Sequence, residues 1–193
     1  MNNLKKLNIL AAAVLSISIS AVPAFSGTPA LPNFHQVNDH IYRGGQPSAD
    51  AWPSLAKMGV KTVIDLRRDG EEGHSTAEEA RAVAAAGLTY VNIPMKGVVA
   101  PTEAQVAKAL ALLNSKDPVF VHCKRGADRT GTIIACYRMS HDGWQHQQAL
   151  HEAKSLGMSF LEFGMKSYIA SFEPTHLQPA ITAAEASPVG TAQ

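Results

Sequence analysis

Cysteine is scarce: the 193 residues hold only Cys123 and Cys136. Cys136 follows Arg129 by seven residues in a stretch of helical spacing, about 10 Å along a helix axis at about 1.5 Å per residue. That separation excludes a disulfide between the two without rearrangement, and Cys136 reads as a small buried side chain. A dominant charge is missing too, with 17 basic residues against 16 acidic ones. Nothing global therefore attracts nucleic acid, and any affinity for anions has to be local. Of the histidines, His141, His146 and His151 have no metal-ligand spacing and no cysteine joins them. Neither metal nor other cofactor is expected. No internal repeat is present.

Long apolar runs are absent outside the N-terminus. There Lys5 and Lys6 precede the stretch Ile9 to Val22, which serines interrupt and which is short for a membrane span. Val22-Pro23-Ala24 supplies small residues for cleavage, so residues 1–24 read as a secretory signal peptide. No cysteine follows that point to carry a lipid, so an exported, periplasmic or secreted protein without a stable membrane anchor is expected. Removal leaves 169 residues, with 15 basic against 16 acidic, enough for one domain.

What is present centres on Pro118-Val-Phe-Val-His-Cys-Lys-Arg-Gly-Ala-Asp-Arg-Thr-Gly131. Val119, Phe120 and Val121 have the character of a buried strand, and Ile133, Ile134 and Tyr137 recur at helical spacing. The loop between ends at a helix N-terminus, where backbone N–H groups and the helix dipole suit a phosphate. Gly126 lets the backbone curl close to the anion. Arg129 offers a two-pronged fork for phosphate oxygens. Those donors favour Cys123 as a thiolate nucleophile, and Thr130 is placed to donate a hydrogen bond to its sulfur.

The run from His122 through Cys123 and Arg129 to Thr130-Gly131 resembles the signature of cysteine-dependent protein tyrosine and dual-specificity phosphatases. Tyr42-Arg-Gly-Gly-Gln-Pro47, a short helix, then Gly59-Val-Lys-Thr-Val-Ile-Asp-Leu-Arg67 is similar to the front half of bacterial enzymes of that type. The resemblance implies phosphate contacts from Lys124, Arg125, Gly126, Ala127, Asp128 and Arg129, with Cys123, Arg129, Asp128 and Thr130 in catalysis. It also implies a phosphoprotein or small phosphate ester as partner, and a monomer.

Elsewhere, residues 25–33 read as a linker and Phe34–Tyr42 as a β-hairpin turning at Asn38-Asp39. A short helix capped by Ser48 or Asp50 runs to Met58, and Lys61–Arg67 and Thr89–Met95 read as strands. Ser75-Thr-Ala-Glu78 and Thr102-Glu-Ala-Gln105 are capping boxes that open helices. Leu150, Ala153 and Leu156 mark another helix, and a last one spans Leu161–Phe172. Residues 34–172 form the phosphatase-like domain, and 173–193, rich in Pro, Ala, Thr and Ser, read as a loose tail. Alternating strands and helices predict an α/β fold with a mostly parallel central sheet and helices on both faces.

One part is missing. In the family this chain resembles, an aspartate on the loop after the preceding strand protonates the leaving group and later activates water. Here that loop, Met95-Lys-Gly-Val-Val-Ala-Pro101, holds no carboxylate. Asp128 is the substitute, placed as in the myotubularin-type and Sac-type lipid phosphatases; its other reading is that it shapes the loop or caps the helix. Asp69, Glu71 and Glu72 stand behind it as third choices. His122 fixes the surroundings of the cysteine. Lys124, Arg125 and Lys96 add anion capacity, as in phosphoinositide and inositol-phosphate phosphatases, or are plain surface charge. A phosphomonoester hydrolase acting through phosphocysteine is the leading reading. The others are an inositol-phosphate or phosphoinositide phosphatase of the same fold, a silent phosphate-binding module, and a rhodanese-type sulfurtransferase.

Overall fold

The structure, a computed structural model describing residues 31–187, is built on five short strands. These are β1 (His35–Gln36), β2 (Ile41–Gly44), β3 (Thr62–Asp65), β4 (Thr89–Asn92) and β5 (Val119–His122). They lie in the order β1-β2-β5-β3-β4, with β1 antiparallel at one edge and every other pairing parallel. Seven helices accompany them among the described residues: α1 (Trp52–Lys57), α2 (Thr76–Ala85), α3 (Glu103–Leu113), α4 (Asp128–His141), α5 (His146–Ser155), α6 (Phe163–Ser171) and α7 (Pro174–Glu185).

Side chains alternate across a strand, so successive residues feed opposite layers. Val63 and Phe120 face one side with Trp52 and Leu55 of α1, Val83 of α2 and Leu31. Ile64, Val119 and Val121 face the other, where α3 to α7 cover them. The strand β5 is buried along its whole length, as expected of a central parallel strand with helices on both faces. In register, Gly44 of β2 and Asp65 of β3 both stand level with His122. Three strands thus finish together, and the loop after β5 emerges at their common carboxyl end, where open α/β sheets place their sites.

Several boundaries differ from the sequence reading. The ladders of β3 and β4 stop early, although single bonds continue them, Leu66 N–H to the His122 carbonyl at 2.9 Å and Met95 N–H to the Leu66 carbonyl at 3.1 Å. Helix α1 is capped by Ala51, with Pro53 in its first turn, while Ser48 donates to Asp50 instead. Thr102 and Gln105 form a complete capping box; at α2 only the Ser75 half is made. Residues 31–33 are not linker: Leu31 is buried, and the Pro32 carbonyl accepts from Gly45 N–H at 2.7 Å. The loose tail is also corrected over most of its length. Residues 174–185 form α7, because Leu177 and Ile181, one turn apart, bury against the core shared with α3 and α4. The signal-peptide reading falls on residues outside the described part.

Candidate active site

Five residues, Cys123–Ala127, connect β5 to α4. Gly126 takes φ +70°, and a Cβ there would lie 2.3 Å from the Gly44 carbonyl carbon. Only glycine fits, because the loop rests directly on the backbone of Gly44 and Gly45. The loop carbonyls are tied to that underside. Gln46 N–H donates to Lys124 O (3.0 Å), Asn33 Nδ2 to Arg125 O (3.2 Å), Arg43 Nη2 to Gly126 O (2.7 Å) and Gly131 N–H to Ala127 O (2.9 Å). In a trans peptide the N–H opposes the C=O. Carbonyls fastened outward therefore turn the amides inward, and among the described residues the amides of 124–128 donate to no protein acceptor. That is an anion cradle, with Cys123, nearly buried, at its base.

Arg129 opens α4 and is clamped by Glu71, which lies in a single 3-10 turn after β3. Nη1 and Nη2 each donate to one carboxylate oxygen at 2.7 Å. Burial alone would lower the Arg129 guanidinium, but the Glu71 bonds and the charge of Cys123 outweigh it and raise it. The hydrogen bonds from Arg129 in turn hold Glu71 down at about 2. Glu71 is thus a fixed anion that orients the arginine, not a proton donor. Its neighbours are also engaged: Asp69 accepts from the N–H and hydroxyl of Thr76 at 3.0 Å, and Glu72 pairs with Lys124.

The remaining sequence-predicted residues divide. Asp128 Oδ1 accepts from Ser159 N–H at 2.8 Å, and Oδ2 accepts from Arg125. Both oxygens are occupied, which fits the loop-shaping reading of Asp128 rather than the acid. Thr130 Oγ1 is buried with no partner among the described residues, so its expected bond to sulfur is not formed. The basic residues Lys124 and Arg125 are each already paired with a carboxylate.

Sequence reasoning offered Glu71 only as a third-choice acid, not as the partner of Arg129, and missed two further residues. Arg43, inside the quoted Tyr-Arg-Gly-Gly-Gln-Pro run, lies fully buried beneath the loop, its Nε and Nη1 without a partner among the described residues, and burial brings its guanidinium down to about 10. Glu162, just before α6, reaches back to the loop after β4 and accepts from Val98 N–H at 2.9 Å. Those two segments also carry the exposed large apolar side chains Val98, Val99, Phe160, Leu161 and Phe163.

Behind the loop lies a buried polar network. Asp65 accepts from Arg67 N–H (2.8 Å), Tyr90 hydroxyl (2.7 Å) and Asn92 Nδ2 (3.3 Å), and lies 2.9 Å from His74 Nε2. His122 is stacked on Phe120, with Nε2 at 2.9 Å from Glu79 Oε1 in a close but poorly aligned contact. Asp65, His74 and Glu79 are near enough together to ligate a cation. The Asp65 oxygens already serve several donors, so the group reads as a hydrogen-bonded support for β3 and the residue before the nucleophile.

Comparison with known proteins bears on the family and the fold. The family described as "DSP-PTPase phosphatase fused to NAD+ Kinase" matches residues 27–171. The dual specificity protein phosphatase TpbA of Pseudomonas aeruginosa (strain UCBPP-PA14) is 27% identical over 201 residues, covering 94% of this chain and 88% of that one. The inositol diphosphatase DSP2 of Oryza sativa subsp. japonica is 28% identical over 144 residues, covering 67% of this chain and 68% of that one. The crystal structure of P. aeruginosa TpbA superposes with a TM-score of 0.65 at 24% identity, over 80% of this chain and 98% of that one.

Proposed function

The chain belongs to this family of DSP-PTPase phosphatases and is a phosphomonoester hydrolase, and we propose that Cys123 carries its phosphocysteine intermediate and that its substrate is a phosphorylated protein. The observation that carries the chemistry is the set of loop amides with no protein acceptor, closed by an arginine that Glu71 holds in place. In the first step Cys123 Sγ attacks phosphorus and the P–O bond to the leaving alcohol or phenol breaks, while the amides and Arg129 stabilise the charge on the non-bridging oxygens. In the second, water attacks phosphorus and the S–P bond breaks, releasing inorganic phosphate. Cys123, Lys124 to Asp128 and Arg129 are the proposed phosphate contacts.

Two features support a protein rather than an inositol polyphosphate. Lys124 and Arg125, the extra basic groups of the loop, are paired with Glu72 and Asp128 and have little charge left for further phosphates. The segments beside the cradle present Val98, Val99, Phe160, Leu161 and Phe163 to solvent, a rim suited to an apolar surround of a single phosphate. We also propose that residues 1–24 direct export.

Cys123→Ser is expected to abolish turnover while retaining vanadate or tungstate binding, and Arg129→Lys to cost roughly 10²-fold or more in kcat/KM through loss of the fork. Turnover by Cys123→Ser would remove the phosphocysteine mechanism. In a panel of phosphopeptides and inositol phosphates, phosphopeptides with apolar flanks should have the highest kcat/KM. A higher value for an inositol phosphate would reassign the substrate.

A further inference from the structure

The Met95–Pro101 loop lacks a carboxylate of its own, yet one is delivered into it. Glu162 is mostly buried, and its Oε2 accepts from Val98 N–H in the middle of that loop. The contact is built rather than incidental. Val98 has φ +58°, a strained position for a β-branched residue. Two residues after Glu162, Gly164 packs so closely that a Cβ would stand 2.7 Å from Ala100 N and 2.9 Å from Val98 O. The loop is thus pressed onto the start of α6.

The same segment is tied to the phosphate loop. Ser159 N–H binds Asp128 Oδ1, and at the other end of the Met95–Pro101 loop the Met95 carbonyl lies 3.4 Å from Arg129 Nη1. The Glu162 carboxyl stands within electrostatic reach of Asp128, Arg125 and Arg129. Among the described residues its Oε1 enters no hydrogen bond, whereas both Asp128 oxygens and both Glu71 oxygens are taken. Burial first, and then the negative charge of Asp128, push the Glu162 carboxyl above the ordinary glutamate range, against the pull of Val98 N–H, Arg125 and Arg129. A carboxyl that keeps its proton longer than usual is suited to give one up in a transition state.

We infer that Glu162 is the catalytic acid and base of this enzyme, supplied from the start of α6 in place of a loop aspartate. As Cys123 Sγ forms its bond to phosphorus and the P–O bond to the leaving group breaks, Glu162 Oε1 gives its proton to the departing oxygen. The resulting carboxylate takes a proton from the water that attacks phosphocysteine. The S–P bond breaks, Cys123 returns to thiolate, and the products are an alcohol or phenol and inorganic phosphate.

The inference rests on the phosphocysteine reading, and the test separates the two. The dependence of kcat/KM on leaving-group basicity is measured from activated aryl to alkyl phosphates for the wild type, Glu162→Gln and Asp128→Asn. Glutamine keeps an acceptor for Val98 N–H but can neither give the proton nor, later, take one from water. The wild type should show a shallow dependence. Glu162→Gln should lose about 10²–10⁴-fold on alkyl phosphates, only a few-fold on activated aryl phosphates, lose the basic limb of its pH profile, and bind vanadate normally. A steep dependence already in the wild type would overturn the inference whether or not the variant folds. So would equal losses on both substrate types, or a steep dependence in Asp128→Asn with a shallow one in Glu162→Gln. Turnover by Cys123→Ser would instead take down the phosphocysteine reading and this one with it.

Discussion

At the residue scale, the Glu71–Arg129 clamp decides whether the phosphate fork is aimed. Glu71→Gln keeps an oxygen acceptor but loses the charge and one of two charge-assisted bonds. Such bonds contribute about 1.5–3 kcal/mol, so kcat/KM should fall roughly 10–100-fold. The loss should be alike for aryl and alkyl phosphates, and vanadate should bind correspondingly more weakly, because the arginine serves the phosphate and not the leaving group. The pH dependence has a definite sign. Glu71 is held down at about 2 by Arg129, below its ordinary value, so its contribution to stability is complete above the normal glutamate range. It is lost only as pH falls from there toward 2. Acid unfolding of Glu71→Gln, followed by circular dichroism, should accordingly lose part of the wild-type decline in stability below the glutamate range. Leaving-group-dependent losses in this variant would mean that Glu71 handles a proton after all.

At the element scale, the phosphate loop depends on a backbone-to-backbone contact with the end of β2. Gly126→Ala would place a methyl 2.3 Å from the Gly44 carbonyl carbon and ask alanine to hold φ +70°. Either the loop lifts from Gly44-Gly45 or the substitution strains both segments, at a cost of about 1–3 kcal/mol. Thermal melting should fall by a few degrees, and vanadate affinity by a larger factor than stability, since the lifted loop no longer presents its amides together. Normal oxyanion binding in Gly126→Ala would show that the cradle does not need this contact. The contact also marks the limit of what sequence could tell. Cys123 to Gly131 was legible because one strand, one turn and one helix start, contiguous in the chain, make the site. The pairings that complete the site reach far along the chain: Glu71 lies 58 residues from Arg129, Glu162 lies 64 from Val98 and Arg43 lies 83 from Gly126. No local periodicity encodes such pairings. Helix α7 was hidden for another reason. Pro179 sits inside it and removes a backbone donor, a cost of about 3 kcal/mol in an isolated helix, which the burial of Leu177 and Ile181 offsets only once α3 and α4 are in place.

At the scale of the whole molecule, the described fold is fastened from its first residue onward. Leu31 is buried against α1 and α2, Pro32 receives the Gly45 N–H, and Asn33 Nδ2 donates to both Arg125 O and Leu156 O. The chain just after the proposed cleavage point therefore braces the underside of the phosphate loop. Cleavage after Ala24 would leave that brace whole, with six residues to spare before Leu31. A tagged full-length chain should accordingly give an exported fraction whose N-terminus lies at or near Phe25, with the melting temperature and kcat/KM of a chain made without residues 1–24. A further truncation starting at Phe34 exposes the apolar surface that Leu31 covers, about 1.5–3 kcal/mol for one leucine, and unties Arg125 O. It should melt lower and bind vanadate more weakly than the chain starting at Phe25. Soluble cytosolic protein that retains Met1 would overturn the export proposal. Equal oxyanion affinity in the two truncations would show that the N-terminal brace supports the fold without supporting the site.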